Sequence, residues 1–168
     1  MSNKIYLNNI DAFVFDFDGV LTNNLVSLNS KGEEFVSCSR SDGLAFDALR
    51  ELNKPAYILS TEINPVVTAR ANKLKINAIQ GISNKATALQ SLSENENFDL
   101  KKIVYVGNDL NDYNAMCISG FSLCPSDSHI RIKEIADIIL KNRGGDGVVR
   151  ELVEDVLKID LLKILYTK

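Results

Sequence analysis

Two carboxylates on alternate residues, Asp16 and Asp18, follow directly after the apolar run AFVF. An aspartate at such a position can attack phosphorus and form an aspartyl-phosphate, which divides one difficult displacement into two easier ones. A second carboxylate two residues later can protonate the leaving alkoxide and then activate the water that hydrolyses the intermediate. An isolated pair of this kind is also common in ordinary acidic turns, so the interpretation depends on the residues that follow.

Residues that can bind a phosphate group or Mg²⁺ also follow later apolar runs. Ser60 follows AYIL, Lys85 begins a helical pattern, and the run GNDLND follows IVYV. A hydroxyl and an ammonium group can bind phosphoryl oxygens, and the ammonium also neutralises charge as the phosphoryl group moves. Asp109 and Asp112 could complete a Mg²⁺ site with Asp16, because this ion takes oxygen ligands and removes the repulsion between carboxylate and phosphate. Together these residues predict phosphoryl transfer at a magnesium site.

The elements that must position these residues alternate between short apolar runs and helical patterns. Strands are predicted at residues 12–15, 56–59, 76–80, 103–106, 121–123 and 137–140. Helices are predicted at residues 43–52, 65–74, 85–93 and 112–118, with amphipathic spacing over 148–165. This alternation predicts an α/β fold, a Rossmann-like doubly wound parallel sheet with helices on both faces. Ligands of such sheets bind at the carboxyl ends of the strands.

One segment, residues 25–38, interrupts the alternation. The extended pieces LVSL and EFVS flank the polar turn NSKG, which predicts a β-hairpin insertion. The hairpin is too short to form a cap domain, and the chain is predicted to fold as one domain, residues 1–168. The glycine-rich stretch GGDG opens the C-terminal segment 144–165, and its backbone freedom could allow that segment to close over an active site.

The order of these motifs closely resembles that of the haloacid dehalogenase superfamily of phosphatases. The DFDGV motif, a serine after the next long strand, a lysine and the GNDLND run follow the superfamily's order along the whole chain. The stretches YILSTE, QGI and GGDGVVRE resemble more specifically a small capless subfamily that acts on phosphorylated 3-deoxy-2-keto sugar acids. This subfamily contains 3-deoxy-octulosonate 8-phosphate phosphatases and nonulosonate 9-phosphate phosphatases of the sialic-acid type.

The resemblance implies a role for each motif residue. Asp16 is expected to be the nucleophile, and Asp18 the acid and base that also offers its backbone carbonyl to Mg²⁺. Ser60, Thr61 and Lys85 are expected to bind the phosphate group.

Position 108 departs from the family pattern, which usually has an aspartate there as a direct Mg²⁺ ligand. This chain has Asn108, so either its amide oxygen coordinates the ion or Asp109 replaces it. The loss of one negative charge should weaken metal binding, although a neutral oxygen remains an acceptable ligand. The candidate metal ligands are therefore Asp16, Asp18, Asn108, Asp109 and Asp112.

Four residues are candidate contacts to the sugar acid. Glu62 stands where octulosonate phosphatases typically carry Gly-Arg, and together with Lys73 it resembles the nonulosonate-type members. A carboxylate there could accept hydrogen bonds from sugar hydroxyls, so a nonulosonate 9-phosphate is the predicted substrate and an octulosonate 8-phosphate the alternative. Arg40 and Arg150 are the candidates for the substrate carboxylate, because guanidinium groups bind carboxylates bidentately.

Composition argues against several other classes of protein. The net charge is −3 and no long basic run occurs, which disfavours nucleic acid or an anionic membrane as a partner. The N-terminus lacks the apolar core of a signal peptide, and no apolar stretch reaches membrane-spanning length, so a cytoplasmic location is expected. The three cysteines have no metal-binding or disulfide spacing and are expected to be reduced.

Two rival functions share part of the pattern. A phosphoryl-accepting receiver domain has the same fold and an acidic cluster, but here the acceptor opens a DxD motif whose second carboxylate, Asp18, can promote hydrolysis. A non-catalytic oligomerisation module associated with a sugar-acid cytidylyltransferase would not need the retained Asp16, Ser60 and Lys85. Asn108 keeps this second alternative open.

The resemblance also implies a homotetramer. Without a cap domain, a neighbouring subunit could exclude water from the aspartyl-phosphate. Apolar hairpin residues would gain stability against such a neighbour, because an isolated two-stranded hairpin is marginal in water. These residues are Leu25, Leu28, Phe35 and Val36. The hairpins are therefore expected to pack together, with the active sites at subunit boundaries.

Overall fold

The computed structural model describes residues 5–167, and its centre is a six-stranded parallel sheet. The strands of this sheet are β1 (Ala12–Phe15), β4 (Ala56–Leu59), β5 (Asn77–Ile79), β6 (Ile103–Val106), β7 (Phe121–Cys124) and β8 (Ile138–Ile139). The strands β2 (Ser27–Leu28) and β3 (Glu34–Phe35) form a separate pair. The order across the main sheet is β5-β4-β1-β6-β7-β8, which places β1 between β4 and β6. The predicted doubly wound parallel fold is confirmed.

Helices cover both faces of the sheet. They are α1 (Ser41–Glu51), α2 (Pro65–Leu74), α3 (Lys85–Glu96), α4 (Tyr113–Ile118), α5 (Ile130–Ile135), α6 (Val148–Glu151) and α7 (Leu161–Tyr166). Successive side chains of a strand point to opposite faces, so Phe13 and Phe15 pack with α1, α2, α6 and α7, while Ala12 and Val14 pack with α3, α4 and α5. Burial of each large apolar side chain contributes about 1.5–3 kcal/mol. None of the helices within residues 5–167 combines the length and the apolar character that a membrane span requires.

The central strands match their predicted boundaries, β7 ends one residue later than predicted, and the larger differences lie at the edges. β1, β4 and β6 begin and end at the predicted residues, whereas β5 and β8 are shorter than predicted. β5 and β8 are the edge strands of the sheet, so each has a hydrogen-bonding partner on one side only. The sequence pattern did not indicate α5, a helix of only six residues that is capped by His129, whose ring accepts a hydrogen bond from the backbone N–H of Arg131.

The C-terminal segment is not one continuous helix, so that prediction is wrong. α6 continues into a wide helical turn, Leu152–Val156, and the helix then ends. Lys158 has a φ of 58°, a left-handed conformation that cannot continue a right-handed helix. Asp160 begins α7 as a new helix, because its side chain accepts a hydrogen bond from the backbone N–H of Lys163.

The hairpin predicted at residues 25–38 is present, although its ladder is short. β2 and β3 pair antiparallel, and an isolated bridge between Thr22 and Cys38 closes the base. Leu28 and Phe35 are 64% and 57% exposed, so the hairpin presents apolar side chains to its surroundings. Among the described residues it is the only insertion between β1 and α1, and no cap domain is formed.

Candidate active site

A cleft at the carboxyl ends of β1, β4 and β6 collects half of the predicted site residues. Its volume is about 290 Å³, and it is lined by Asp16, Asp18, Asn24, Ser60, Thr61, Asn108, Asp109, Leu110 and Asn111. Because β1 lies between β4 and β6, the polar residues that follow these three strands meet at one opening.

An ion-pair network around Lys85, the first residue of α3, lies beneath the cleft. The Lys85 Nζ is 2.6 Å from Asp16 Oδ1 and 2.7 Å from Asp112 Oδ1. All three side chains are buried, and the side chains of Lys85 and Asp112 are at most 1% exposed. One ammonium group is thus shared by two carboxylates, which leaves an excess of negative charge in a place shielded from water.

This arrangement shifts the pKa values of the nucleophile candidate and of its partner. Burial, and next the negative charge of Asp112, raise the pKa of Asp16 to about 8, although Lys85 acts in the opposite direction. Burial lowers the pKa of Lys85, but the two carboxylates outweigh this effect and the net pKa is raised. Lys85 therefore keeps its proton at neutral pH, while Asp16 needs a further positive charge nearby to act as an ionised nucleophile.

Asp112 anchors the loop that follows β6. Its Oδ1 accepts hydrogen bonds from Lys85 and, at 2.8 Å, from the hydroxyl of Tyr105. Its Oδ2 accepts from the backbone N–H groups of Asn108 at 2.9 Å and of Asp109 at 3.2 Å. A carboxylate has about four lone-pair sites, and these contacts use them all. In this arrangement Asp112 positions the loop, and its role as a direct metal ligand stays a prediction from the sequence.

Asn108 faces two other oxygen atoms at the edge of this network. One terminal atom of its side-chain amide lies 3.0 Å from Asp16 Oδ2 and 2.9 Å from the backbone carbonyl oxygen of Asp18. Oxygens about 2.8–3.0 Å apart have the spacing of adjacent ligands around an octahedral ion with bonds of about 2.0–2.1 Å. With the amide oxygen in this position, the three atoms suit Mg²⁺. Asp109 caps the following turn, where its Oδ1 accepts a hydrogen bond from the backbone N–H of Leu110, and its role as a ligand stays a prediction.

Asp18 lies at the opening of the cleft and is half-buried. Burial, and next the charge of Glu62, raise the pKa of Asp18, so its carboxyl group can hold a proton for a leaving oxygen. The turn after Asp18 is held by Thr22, whose Oγ1 accepts a hydrogen bond from the Gly19 N–H at 3.2 Å. Gly19 has a φ of 82°, and a Cβ there would lie 2.0 Å from a terminal amide atom of Asn108, so only glycine fits.

The residues after β4 place a hydroxyl and a carboxylate beside Asp18. Ser60 is buried, and its Oγ accepts a hydrogen bond from the backbone N–H of Glu62 at 3.1 Å. The hydroxyl proton of Ser60 remains available for a phosphoryl oxygen. The hairpin adds a second carboxylate on this side, since Glu34 Oε2 accepts a hydrogen bond from Asn64 Nδ2 at 3.1 Å and the charge of Glu34 also raises the pKa of Asp18. The rim of the cleft on this side is therefore acidic.

None of the four predicted substrate contacts is part of the cleft lining, Glu62 included. The Arg150 guanidinium binds Glu154, one helical turn later, at 2.5 and 3.1 Å. Arg40 is exposed at the residue before α1, and Lys73 is exposed in the last turn of α2. At a rise of about 1.5 Å per residue, Lys73 is roughly 12 Å along the helix axis from Pro65. These three cations do not line the cleft of the described chain, and their contacts to the substrate stay predictions.

The glycine-rich segment packs against the loop after β1. The Gly145 N–H donates to the Val20 carbonyl at 2.9 Å, and the Gly144 N–H donates to Asp127 Oδ1 at 2.9 Å. A Cβ on Gly144 would lie 2.1 Å from the Gly19 carbonyl oxygen, so the two backbones meet only because no side chain intervenes. In this conformation the segment supports the loop through direct backbone contact, and its closure over the cleft stays a prediction.

Sequence reasoning missed three residues that support the site, namely Thr22, Tyr105 and Gly144. Thr22 ends the DFDGVLT run, and a hydroxyl residue near a glycine turn is a signal that could have found it. Tyr105 and Gly144 carry no such signal, because their partners Asp112 and Gly19 are known only once the strands are placed.

Comparisons with known proteins agree with this geometry. A family model described as haloacid dehalogenase-like hydrolase matches residues 44–152. The chain is 31% identical to the 3-deoxy-D-manno-octulosonate 8-phosphate phosphatase of Escherichia coli K12, over 89% of this chain and 80% of that protein. A Streptomyces avermitilis structure assigned to the HAD hydrolase family has a TM-score of 0.92 and 39% identity, covering 96% of this chain and 92% of that one. The octulosonate phosphatase of Moraxella catarrhalis, solved with magnesium, phosphate and KDO, has a TM-score of 0.86 and 32% identity, covering 89% and 87%.

The support that Gly144 gives to the loop after β1 can be tested by adding one methyl group. Gly144→Ala should lower the free energy of unfolding by about 1–3 kcal/mol or more, because the added Cβ overlaps the Gly19 carbonyl. Urea denaturation measures this loss, and amide chemical shifts of residues 16–22 report displacement of the loop. Gly43→Ala is the matched control, since a Cβ there meets nothing within 4 Å. Equal stability of the two variants would contradict the proposed support.

Proposed function

Since the chain belongs to the haloacid dehalogenase-like hydrolase family and is a phosphatase, we propose that it hydrolyses a phosphorylated 3-deoxy-2-keto sugar acid with Asp16 as the nucleophile. The observation that carries this proposal is the position of the Asp16 carboxylate. It lies between the Lys85 ammonium and the Asn108 amide in a cleft that also contains Asp18. A buried, cation-bound carboxylate beside a second carboxyl group of raised pKa has the arrangement that two-step phosphoryl transfer requires.

The proposal includes Mg²⁺ as the resident cofactor, in agreement with the ion in the related Moraxella catarrhalis structure. Asp16 Oδ2, the Asp18 carbonyl and the Asn108 amide oxygen would hold it. When bound, the ion supplies the further positive charge that keeps Asp16 ionised and reduces its repulsion of the phosphate.

The side chains of the cleft divide the remaining chemistry. The Asp16 carboxylate attacks phosphorus, and the bond to the leaving oxygen breaks as Asp18 gives that oxygen its proton. Lys85 and the hydroxyls of Ser60 and Thr61 bind the phosphoryl oxygens as charge moves onto them. Asp18, now ionised, takes a proton from a water molecule, which attacks phosphorus and releases phosphate and the free Asp16 carboxylate.

The similarity to octulosonate phosphatases supports octulosonate 8-phosphate as the first candidate substrate. Glu62 favours a second candidate, a nonulosonate 9-phosphate, which remains a prediction from the sequence. Its charge raises the pKa of Asp18, and in this proposal its carboxylate would face the leaving sugar. As an acceptor it would bind the hydroxyls of a longer sugar chain.

Replacement of the proposed nucleophile gives the most direct test of turnover. Asp16→Asn should leave the fold intact and abolish phosphate release, because an amide cannot attack phosphorus. Asp18→Asn should lower kcat by about 10²–10⁴-fold through loss of proton transfer. Malachite green detection of phosphate from octulosonate 8-phosphate measures both effects.

Asp109→Asn is the control for these variants, since its carboxylate lines the same cleft but caps the turn at Leu110. It should retain most of the activity. Turnover of Asp16→Asn near the wild-type value would contradict the mechanism. A wild-type protein that accepts phosphate once and does not release it would instead indicate a receiver domain, and complete inactivity would indicate a non-catalytic module.

The role of Glu62 is tested by comparing the two candidate substrates. Glu62→Arg should lower kcat/KM for a nonulosonate 9-phosphate more than for octulosonate 8-phosphate, because it replaces an acceptor with a cation beside the longer sugar. Initial rates with both substrates, for wild type and variant, give this ratio. An equal loss on both substrates would exclude Glu62 from substrate selection.

Assembly as a homotetramer is part of the proposal. The cleft lining has no lysine or arginine side chain among its residues, so a substrate carboxylate would need a cation from elsewhere. The exposed apolar hairpin residues Leu28 and Phe35 provide a surface through which a second copy could approach the cleft. A neighbour at that position could supply the missing cation and exclude water from the aspartyl-phosphate.

Charged substitutions in the hairpin test this assembly. Leu28→Lys and Phe35→Lys should lower both the mass measured by light scattering and the rate of phosphate release, because a buried charge destabilises an apolar contact. Leu162→Lys is a matched control, as Leu162 is 64% exposed, like Leu28, but lies in α7. A fully active monomer, of wild type or of the hairpin variants, would contradict the tetramer.

A further inference from the structure

The side chain of Asn108 is held in place by contacts of its own backbone. Its N–H donates to Asp112 Oδ2 at 2.9 Å, and its carbonyl accepts from the His129 N–H at 2.9 Å. The side chain itself is buried, with Gly19 directly against one terminal atom of the amide. The other terminal atom therefore stays beside Asp16 Oδ2 and the Asp18 carbonyl oxygen.

The amide can place either its Oδ1 or its Nδ2 beside Asp16 and Asp18, and the first orientation is repulsive where the second is attractive. With Oδ1 in this position, it lies 3.0 Å from Asp16 Oδ2 and 2.9 Å from the Asp18 carbonyl oxygen, and it repels both unless a cation lies between them or, for Asp16, a proton does. With Nδ2 in that place, the amide donates hydrogen bonds of 3.0 Å to Asp16 and 2.9 Å to Asp18. Without a cation, the second orientation is the one that satisfies all three groups.

We propose that Asn108 acts as a latch on the metal site. Without Mg²⁺, its Nδ2 donates hydrogen bonds to Asp16 Oδ2 and the Asp18 carbonyl oxygen, and the amide rotates by 180° when the ion binds. This inference rests on the magnesium site of the proposed function. Turning the amide by 180° exchanges two terminal atoms of similar size, and Gly19 leaves room for either one. An aspartate at this position could not form the latch, because both of its terminal atoms are acceptors.

The latch has a measurable cost for metal binding. Mg²⁺ binds only the fraction of molecules whose amide oxygen faces Asp16, so the apparent dissociation constant is the intrinsic value divided by that fraction. Asn108 also contributes no charge, which weakens the site further. The chain should therefore bind Mg²⁺ weakly for its ligand geometry, and the metal-free state should gain stability from the latch.

Calorimetric titration with Mg²⁺ separates the latch from a general effect of charge. Asn108→Asp should bind Mg²⁺ about tenfold more tightly or better, because it removes the donor and adds a charged ligand. Asn111→Asp is the matched control, since it adds the same charge in the same cleft at a residue that is not among the proposed metal ligands. It should change the affinity by less than about threefold. An equal gain in both variants would overturn the inference.

Thermal unfolding gives an independent signature. In EDTA, Asn108→Asp should melt below the wild type, because a carboxylate then faces Asp16 in place of a donor. In saturating Mg²⁺ the order should reverse. A variant that melts with or above the wild type in EDTA would overturn the latch.

The wild-type protein provides a readout that needs no variant to fold. In ¹⁵N-labelled protein, the side-chain NH₂ signals of Asn108 should move on Mg²⁺ addition, with the same midpoint as the calorimetric titration. If Mg²⁺ binds and supports hydrolysis while these signals stay fixed, the latch is overturned and the proposed function stands. If the wild type neither binds Mg²⁺ nor releases phosphate, the proposed function fails as well.

Discussion

A single buried ammonium group, that of Lys85, is the interaction on which the site depends. Lys85 binds Asp16 after β1 and Asp112 after β6, so one charge joins the two central strands to the start of α3. Asp112 then fixes Asn108 through the backbone. Removing one partner of a buried ion pair typically costs about 3–5 kcal/mol, because the remaining charge stays buried without compensation. The position of the nucleophile and the stability of this edge of the sheet therefore both depend on Lys85.

The loop that carries Asp16 is also fixed from the C-terminal side of the chain. Gly144 and Gly145 meet its backbone directly, and Asp42 at the start of α1 accepts a hydrogen bond from the Arg150 N–H at 3.0 Å in α6. Within the loop, Thr22 Oγ1 accepts a hydrogen bond from the Gly19 N–H and holds the turn. The groups of the cleft are thus oriented by ordinary backbone packing, and no cap domain takes part. What one chain does not supply at the cleft lining is a cation for a substrate carboxylate.

Much of this architecture could be predicted from local sequence, and the rest depended on contacts between distant residues. Apolar runs fixed the bounds of β1, β4 and β6, and the motif order brought Asp16, Asp18 and Ser60 to one edge. The role of Asp112 in holding the loop was not predicted, since the ammonium that it binds belongs to Lys85, 27 residues away, and meets it only after folding. Arg150 was expected at the substrate, but Glu154 lies one helical turn away and pairs with it locally. The break at Lys158 reflects a backbone conformation that amphipathic spacing does not encode.

The claim that Asp16 accepts the phosphoryl group can be tested most directly in a crystal grown with Mg²⁺ and beryllium fluoride, which forms a stable analogue of an aspartyl-phosphate. The predicted result is trifluoroberyllate bonded to the Asp16 carboxylate, with Lys85 within hydrogen-bond distance of a fluorine and the Asn108 amide oxygen facing the ion. Trifluoroberyllate on a different side chain, or an unmodified Asp16 with Mg²⁺ bound in the cleft, would contradict the account.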